Sequence, residues 1–563
     1  MVMTDENVYT VADAVVEELV HAGVEVVFGI VSIHNMPIYD AILRDGRIHV
    51  VTARGESGAV NMADGYARVT GKLGVAITST GTGAGNAAGS LVEAWSAGTK
   101  LLHLTGEVAS PYLGTGKGYI HEMKDQLQMM EGCCKHAFHL RIPEQAIPMM
   151  RKAIAHAAFA PSGPVTLQIP IDYQSAIIPK PVEQAIYEVK PLATEINPLP
   201  EEIVAKIVKA KRPVIWAGGG VIHADAAQET TRLAEKLGAA VITSQSGKGA
   251  IPEDHPLCIG HFASFVEVQK LLEKADLLIS MGVRFRSNET ASWKVKVNCE
   301  HINIDVDYLA HNRNYQVTHS VVGDIKQILQ QLLQQLAQHQ LEPEPSYQEE
   351  VTQARKNVRK ELRSTLGPYE QFVDGMRKLL PKDAILVRDV TVPANLWGSR
   401  LFEIYQPRTS IHAAGGGIGQ GLPTAIGAQL GAKEQVVMLM VGDGGFMVNV
   451  GELATAVEEQ LPLIIALFDD GGYGVLRNLQ DAAYGRRIAV DLLSPDFVKL
   501  GEAMGFVAKR VGSAVEFLVE LDCAIQRRKP SLIVVDMKEV GPMKKPFGGP
   551  PGAAEAFRPK KLS

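Results

Sequence analysis

Apolar residues in this chain come in short, nearly continuous runs, separated by longer stretches in which they recur every three or four positions. A run without alternation fits a strand covered on both faces, and the wider spacing fits the helix that crosses over it. In a first block Val24–Ile30, Ile48–Arg54, Leu73–Thr80, Leu101–Glu107 and Pro164–Pro170 read as strands. Between the second and third of these, Ala59, Ala63, Tyr66 and Ala67 keep helical spacing, so Ser57–Thr70 is predicted as the crossover helix of a βαβ unit. A second block repeats the pattern with Arg212–Gly220, Ala239–Gln245, Asp276–Gly282 and His301–Asp307. A third carries Ala384–Val390, Thr409–Ala414, Gln435–Gly442, Leu461–Phe468 and Ser531–Met537. The pattern predicts an α/β protein of three doubly wound parallel-sheet domains, the first and third alike in pattern without a sequence repeat.

Breaks in the pattern set the expected boundaries. Proline-rich Ile178–Pro200 reads as a linker, and the polar stretch Gln334–Ser346 closes the second block. The expected domains are 1–177, 199–340 and 366–540, with a Gly/Pro-rich tail at 541–563. Pro542, Pro546, Pro550 and Pro551 keep that tail out of any regular helix or strand interior, so it is expected to be disordered or to close over a site as a lid.

Composition narrows the partners. A formal charge of −6 over 563 residues, with no long basic run, excludes a general attraction to nucleic acid or acidic membranes and leaves small molecules and further subunits. Five cysteines without paired spacings give neither a zinc site nor a secreted disulfide framework and fit a reducing compartment. Met1–Thr10 is polar and no run of about 20 apolar residues follows, so a soluble, cytoplasmic protein is expected.

The most specific segment runs from Val441 to Gly474 and reads VGDGGFMVNVGELATAVEEQLPLIIALFDDGGYG. An acid in a GDG turn at the end of one strand, with a polar pair and glycine at the end of the next, resembles the signature of thiamine diphosphate-dependent enzymes. Asp443 and Asp470 are 27 positions apart, the spacing that family uses. The resemblance implies that Asp443, Asp470 and the Gly472 carbonyl hold Mg2+, whose octahedral shell keeps places for phosphate oxygens and water. It implies too that Gly442, Gly444, Gly445, Tyr473 and Gly474 border the cofactor, with backbone amides near the diphosphate. The family has two asparagines where this chain has Asp469 and Asp470, so the site carries an additional carboxylate and needs a compensating cation.

A second segment, ARGESGAVNMADGYARVTGKLGVAITSTGTGAGN, is similar to the pyrimidine-binding block of the same family. The resemblance makes Glu56 the acid that exchanges a proton with the far side of the aminopyrimidine ring, a task that burial would favour by raising its pKa. In AAGGGIGQGLPTAIG, Ile418 falls at the position of the wedge that bends the cofactor, and the Gly416 carbonyl where its amino group is bound.

The likeness covers nearly the whole chain, in the order pyrimidine-binding, central and diphosphate-binding domain, and is strongest to the acetolactate synthase-like branch. It implies a carboligase or decarboxylase acting on a 2-oxo acid, the alternative being a lyase of 2-hydroxy ketones or 2-hydroxyacyl thioesters similar to benzaldehyde lyase. It also implies sites built between two chains, Glu56 of one meeting Asp443 of another, and hence a homodimer at least, with a homotetramer common in the family. His34 falls where benzaldehyde lyase-like relatives have a histidine, and His121 near the place of a glutamine in synthases and lyases; both are candidates for catalytic proton relay. The expected substrate pocket is Ser32, His34, Thr80, His121, Gln126, Tyr473 and Leu476. Acetolactate synthases hold a flavin in the central block, where this chain offers Ala217–Gly220, Gly282–Arg286 and Asp305–Asp307. GxGxxG is absent and the flavin run is only partly present, so bound FAD is not favoured. Gly114–Gly118 and Gly247–Gly249 lack the serine or threonine of a phosphate-binding loop and carry no triphosphatase reading.

Overall fold

A computed structural model describes residues 8–181 and 197–549, with 553 and 557. Much of the expected linker and most of the tail lie outside the described residues. The first sheet holds β1 (Val26–Gly29), β2 (His49–Thr52), β3 (Gly74–Thr78), β4 (Leu101–Glu107), β5 (His136–His139) and β6 (Pro164–Pro170), in the order β2-β1-β3-β4-β6-β5. The second holds β7 (Pro213–Ala217), β8 (Ala240–Thr243), β9 (Cys258–Gly260), β10 (Leu277–Met281), β11 (Glu300–Asp305) and β12 (His319–Val322), in the order β12-β11-β10-β7-β8-β9. The third holds β13 (Ile385–Arg388), β14 (Ser410–His412), β15 (Val437–Gly442), β16 (Ile464–Asp469), β17 (Val507–Val511) and β18 (Ser531–Asp536), in the order β14-β13-β15-β16-β18-β17. Neighbouring strands pair in parallel in all three sheets. The fold is therefore α/β, and the first and third sheets are wound in the same order. The second has the order of a dinucleotide-binding fold.

Four strands were not among the sequence expectations: β5, β9, β12 and β17. Each is an edge strand. An edge is covered on fewer sides, so its apolar run is short or interrupted; β17 has three exposed residues among five and β12 alternates half-buried with exposed. The long central strands, such as β4 and β15, are buried throughout and were legible for that reason.

By packing, the described residues of Met1–Ala193, Ala413–Glu434 and Phe446–Leu463 form one compact unit, and those of Thr194–His412, Gln435–Gly445 and Ile464–Ser563 form another. In the first, the crossover helix starts one residue earlier than predicted, at Glu56, and ends at Thr70 before Gly71, whose φ of 71° caps it in the left-handed region. Its residues from Gly58 to Ala67 are buried without a break, because the sheet covers one side and the helix Gly421–Gly431 the other. Only small residues allow that approach: a Cβ at Gly427 would overlap the Met62 carbonyl oxygen. In the second unit the helix Tyr347–Arg363 buries Tyr347, Val351, Ala354, Val358 and Leu362, a single stripe at helical spacing. Each fully buried aliphatic side chain there contributes about 1.5–3 kcal/mol.

Candidate active site

Glu56 is the first residue of its helix, four residues past the end of β2, and is half-buried. The loop before it is held by a buried carboxylate that sequence reasoning did not single out. Glu452 accepts the backbone N–H groups of Arg54 at 3.0 Å and Gly55 at 3.1 Å, satisfying donors at the helix start. Arg54 forms its ion pair with Glu458 at 2.6 Å and so leaves Glu56 free of a surface partner. The Glu56 carboxylate instead accepts a hydrogen bond from Asn86 Nδ2 at 3.1 Å, on the helix Thr82–Ala97, which follows β3.

The glycine turn carrying Gly416 and Ile418 belongs to the same unit. Gly415 N–H donates to both oxygens of Glu93 at 2.9 Å, and Asn449 Nδ2 donates to the Gly419 carbonyl at 2.6 Å. Between these two fastenings Gly416, with φ 85°, and Ile418 stand exposed. Ile418 is 42% accessible, so it is an isoleucine presented at the surface and not one spent on the core.

His34 is buried in the loop after β1, with a Nδ1 that has no partner among the described residues. Its ring lies 5.0 Å from that of His121, which is half-buried and holds a φ of 65°. Burial, and then the neighbouring His121, push the His34 imidazole below its ordinary pKa of 6.5, so it is uncharged near neutrality. Ser79 Oγ is 3.5 Å from His121 Nδ1, and Ser32 Oγ accepts the His34 backbone N–H at 3.2 Å. Thr80 and Gln126 are buried and joined by a 2.8 Å hydrogen bond. Ser32, His34, Thr80, His121 and Gln126 all belong to this unit, whereas Tyr473 and Leu476 belong to the other.

The acidic group lies in the second unit. Asp443 begins the helix Asp443–Val448 directly after β15, Asp469 ends β16 and Asp470 follows it. Burial and then Asp469 push the Asp443 carboxyl above its ordinary range. Asp470 is pushed up to about 6 by burial and by Asp443, while Arg477 acts the other way. Ser494, not singled out from sequence, bridges Asp443 and Asp469 with its hydroxyl 3.3 Å from each. Asp443 Oδ1 and Asp470 Oδ1 are buried without partners among the described residues. Two mutually repelling carboxylates, each with a spare oxygen, are a donor set suited to a cation beyond the Arg477 guanidinium, which lies 3.7 Å from Asp470. They fit a hard divalent ion. Among the described residues no three His, Cys, Asp or Glu side chains converge on one point, so such an ion would complete its shell with carbonyl, water or phosphate oxygens.

The Gly471–Gly474 loop is braced by backbone pairing, Tyr473 N–H to the Val490 carbonyl at 2.8 Å and Leu492 N–H to the Gly471 carbonyl at 2.9 Å. Gly442 and Gly445 are buried beside it, while a Cβ at Gly444 would stand 2.6 Å from the Tyr473 ring. Leu476, at 50% accessibility, is presented outward on the helix Gly474–Tyr484. Of the two glycine–lysine runs, Lys248 is buried in an ion pair with Glu253 at 2.7 Å, a structural use. All five cysteines are unpaired, and among the described residues no helix is long and apolar enough to cross a membrane.

Three family models match the chain: the thiamine pyrophosphate enzyme N-terminal TPP binding domain over residues 9–129, the central domain over 200–332, and the C-terminal TPP binding domain over 393–535. The chain is 32% identical over 559 residues to a probable acetolactate synthase large subunit of Methanocaldococcus jannaschii, covering 95% of this chain and 94% of the relative. It is 31% identical to a probable 2-ketoarginine decarboxylase of Pseudomonas aeruginosa, covering 90% of each. It is 29% identical to the acetolactate synthase isozyme 3 large subunit of Escherichia coli, covering 93% of this chain and 94% of the relative.

Proposed function

Because the chain belongs to the thiamine pyrophosphate enzyme family, and is an enzyme that forms or cleaves carbon–carbon bonds, we propose that it is a thiamine diphosphate- and Mg2+-dependent carboligase or decarboxylase of a 2-oxo acid. The observation that carries this reading is the pair of buried, unpartnered carboxylate oxygens on Asp443 and Asp470. Two of the relatives are named for acetolactate synthesis and one for decarboxylation of 2-ketoarginine, which favours a 2-oxo acid as substrate.

Asp443, Asp470 and the Gly472 carbonyl would hold the metal, and Gly442, Gly444, Gly445, Tyr473 and Gly474 would border the diphosphate. When bound, the cofactor would supply a nucleophilic carbon and a sink for the electron pair of the broken bond. This chain's own residues manage protons and position around it. Glu56, with Asn86 on one carboxylate oxygen, exchanges a proton at the pyrimidine. The Gly416 carbonyl would accept from the cofactor's amino group, and Ile418 would pack against its rings. His34 and His121 exchange a proton with the substrate oxygen or leaving group; His34 is suited to accept one because burial keeps it neutral. A homodimer is the smallest active form under this reading, and the five unpaired cysteines fit work in the cytoplasm.

Calorimetry on metal-replete protein should give saturable heat with thiamine diphosphate. Pyruvate, aromatic 2-oxo acids and 2-ketoarginine should then be screened for CO2 release with product identification. Heat without CO2 from any of these, together with cleavage of acyloins, would replace the reading by a lyase; no heat at all would end it.

A further inference from the structure

Glu107, at the carboxyl end of β4, is a buried acid for which the chemistry above has no use. It is 6% accessible, its Oε1 accepts the Val108 backbone N–H at 2.8 Å, and the same oxygen stands 3.2 Å from Thr80 Oγ1. Thr80 Oγ1 also lies 2.8 Å from Gln126 Oε1. The Gln126 amide cannot be turned over: its oxygen receives Gly81 N–H at 2.6 Å and its nitrogen donates to the Gly106 carbonyl at 3.1 Å. One hydroxyl proton on Thr80 therefore faces two oxygen acceptors. It goes to the nearer, on Gln126, and the contact with Glu107 needs a hydrogen from the carboxyl itself. Among the described residues no cation pairs with Glu107.

We propose that Glu107 is a positioning residue that stays protonated in the working enzyme, donates its carboxyl hydrogen to Thr80, and through Thr80 and Gln126 fixes the two glycines against which His34 and His121 rest. A Cβ at Gly81 would overlap the His121 carbonyl oxygen, and one at Gly106 would overlap that of His34. The backbones of both histidines thus press on the residues whose N–H and C=O the Gln126 amide holds, and the 5.0 Å ring spacing depends on that clamp. Burial drives the Glu107 carboxyl above its ordinary 4.5, and the charge of Glu122 on the following loop acts in the same sense; the Val108 N–H acts the other way, as does the Thr80 hydroxyl whenever it turns to donate to the carboxylate. Of the titratable groups on nearby elements, His34 packs against Gly106 and His121 against Gly81, and Asp172 beyond β6 is taken up by Ser110 at 2.6 Å. Once ionised, Glu107 can only accept, and it competes with Gln126 for the Thr80 proton.

This inference rests on the reading that His34 and His121 meet the substrate, so its test has one readout free of activity. Melting temperatures of full-length wild type and E107Q, with thiamine diphosphate and Mg2+ present, are compared between about pH 5 and pH 8. An acid held protonated stabilises fully below its unfolded pKa and loses that contribution as pH rises toward its folded one, whereas glutamine does not titrate. The difference, variant minus wild type, should rise by roughly 2–4 °C across the range; a flat or falling difference overturns the proposal. The alkaline limb of kcat against pH should shift in E107Q, and an unmoved limb overturns the positioning role. If E107Q does not fold, infrared spectra of the wild type decide: a protonated-carboxyl band must persist at neutral pH, and its absence overturns the claim. Absence of cofactor heat in the same samples would remove the functional reading, while the melting comparison still judges the Glu107 proton.

Discussion

The Asp470 carboxylate lies 3.7 Å from the Arg477 guanidinium, which also donates to the carbonyls of Asp470 at 3.2 Å and Gly471 at 3.1 Å. Arg477 is the compensating cation that an additional carboxylate in this site calls for. It is itself shared, since Asp491 holds its Nε at 2.8 Å. Asp470 therefore keeps a pKa raised to about 6 in the metal-free protein.

A raised carboxyl favours the folded state while protonated and loses that advantage as pH climbs from its ordinary 3.8 through about 6. Metal-free D470N should thus match the wild type near pH 4 and exceed it by about 2–3 kcal/mol at pH 7–8. Urea unfolding at several pH values measures this. With metal the order reverses for binding: D470N should take Mg2+ more weakly, and unchanged metal-dependent cofactor affinity would remove Asp470 from the ligand set.

How much of this was legible depends on what each residue does for the chain. Asp443 and Asp470 follow long buried strands, so their runs announced them, and Glu56 stood just before a helix whose small residues kept a clear spacing. Of the edge strands, β5, β12 and β17 were hidden because half-exposed sequence has no continuous apolar run, and β9 because its buried run is only 3 residues long. Glu107 looked like the ordinary end of β4; its meaning lies in Thr80 and Gln126, 27 and 19 positions away, which only folding brings together. Glu452 was hidden for the same reason, since it serves backbone amides nearly 400 positions distant. An acid as the last residue of a fully buried strand was the one signal pointing to Glu107.

Replacing Glu56 by glutamine keeps the size of the side chain and removes its acid. Turnover should fall by about 10²–10⁴-fold, the usual span for loss of a general acid–base group. Thermal stability and cofactor heat should stay near wild type. Stopped assays beside calorimetry check this, and full activity would take Glu56 out of the mechanism.

Ile418→Ala separates a wedge from a core residue. At 42% accessibility the isoleucine is half solvated without cofactor, so unfolding should change by less than about 1 kcal/mol, compared with 2–5 for a buried isoleucine. Cofactor affinity or turnover should drop about tenfold or more. A large stability loss with unchanged kinetics would contradict the wedge.

Gly427→Ala tests the helix contact beneath the glycine turn. The new methyl would meet the Met62 backbone carbonyl, which cannot rotate aside, so the first unit should lose about 1–3 kcal/mol or more. Differential scanning calorimetry reports it. An unaffected melting curve would mean that the two helices can part at little cost.

Two sheets of this chain follow one winding, and it is instructive to compare what stands at matching strand tips. After the third strand comes Thr80 with Gly81 in one sheet and Asp443 in the other; after the fourth, Glu107 in one and Asp469 with Asp470 in the other. Under the proposed reading the same backbone stations would handle protons in the first sheet and ionic charge in the third, with immediate neighbours such as Gln126 at one and Arg477 at the other. A shared winding therefore does not dictate what a strand tip carries; the side chains gathered around it do.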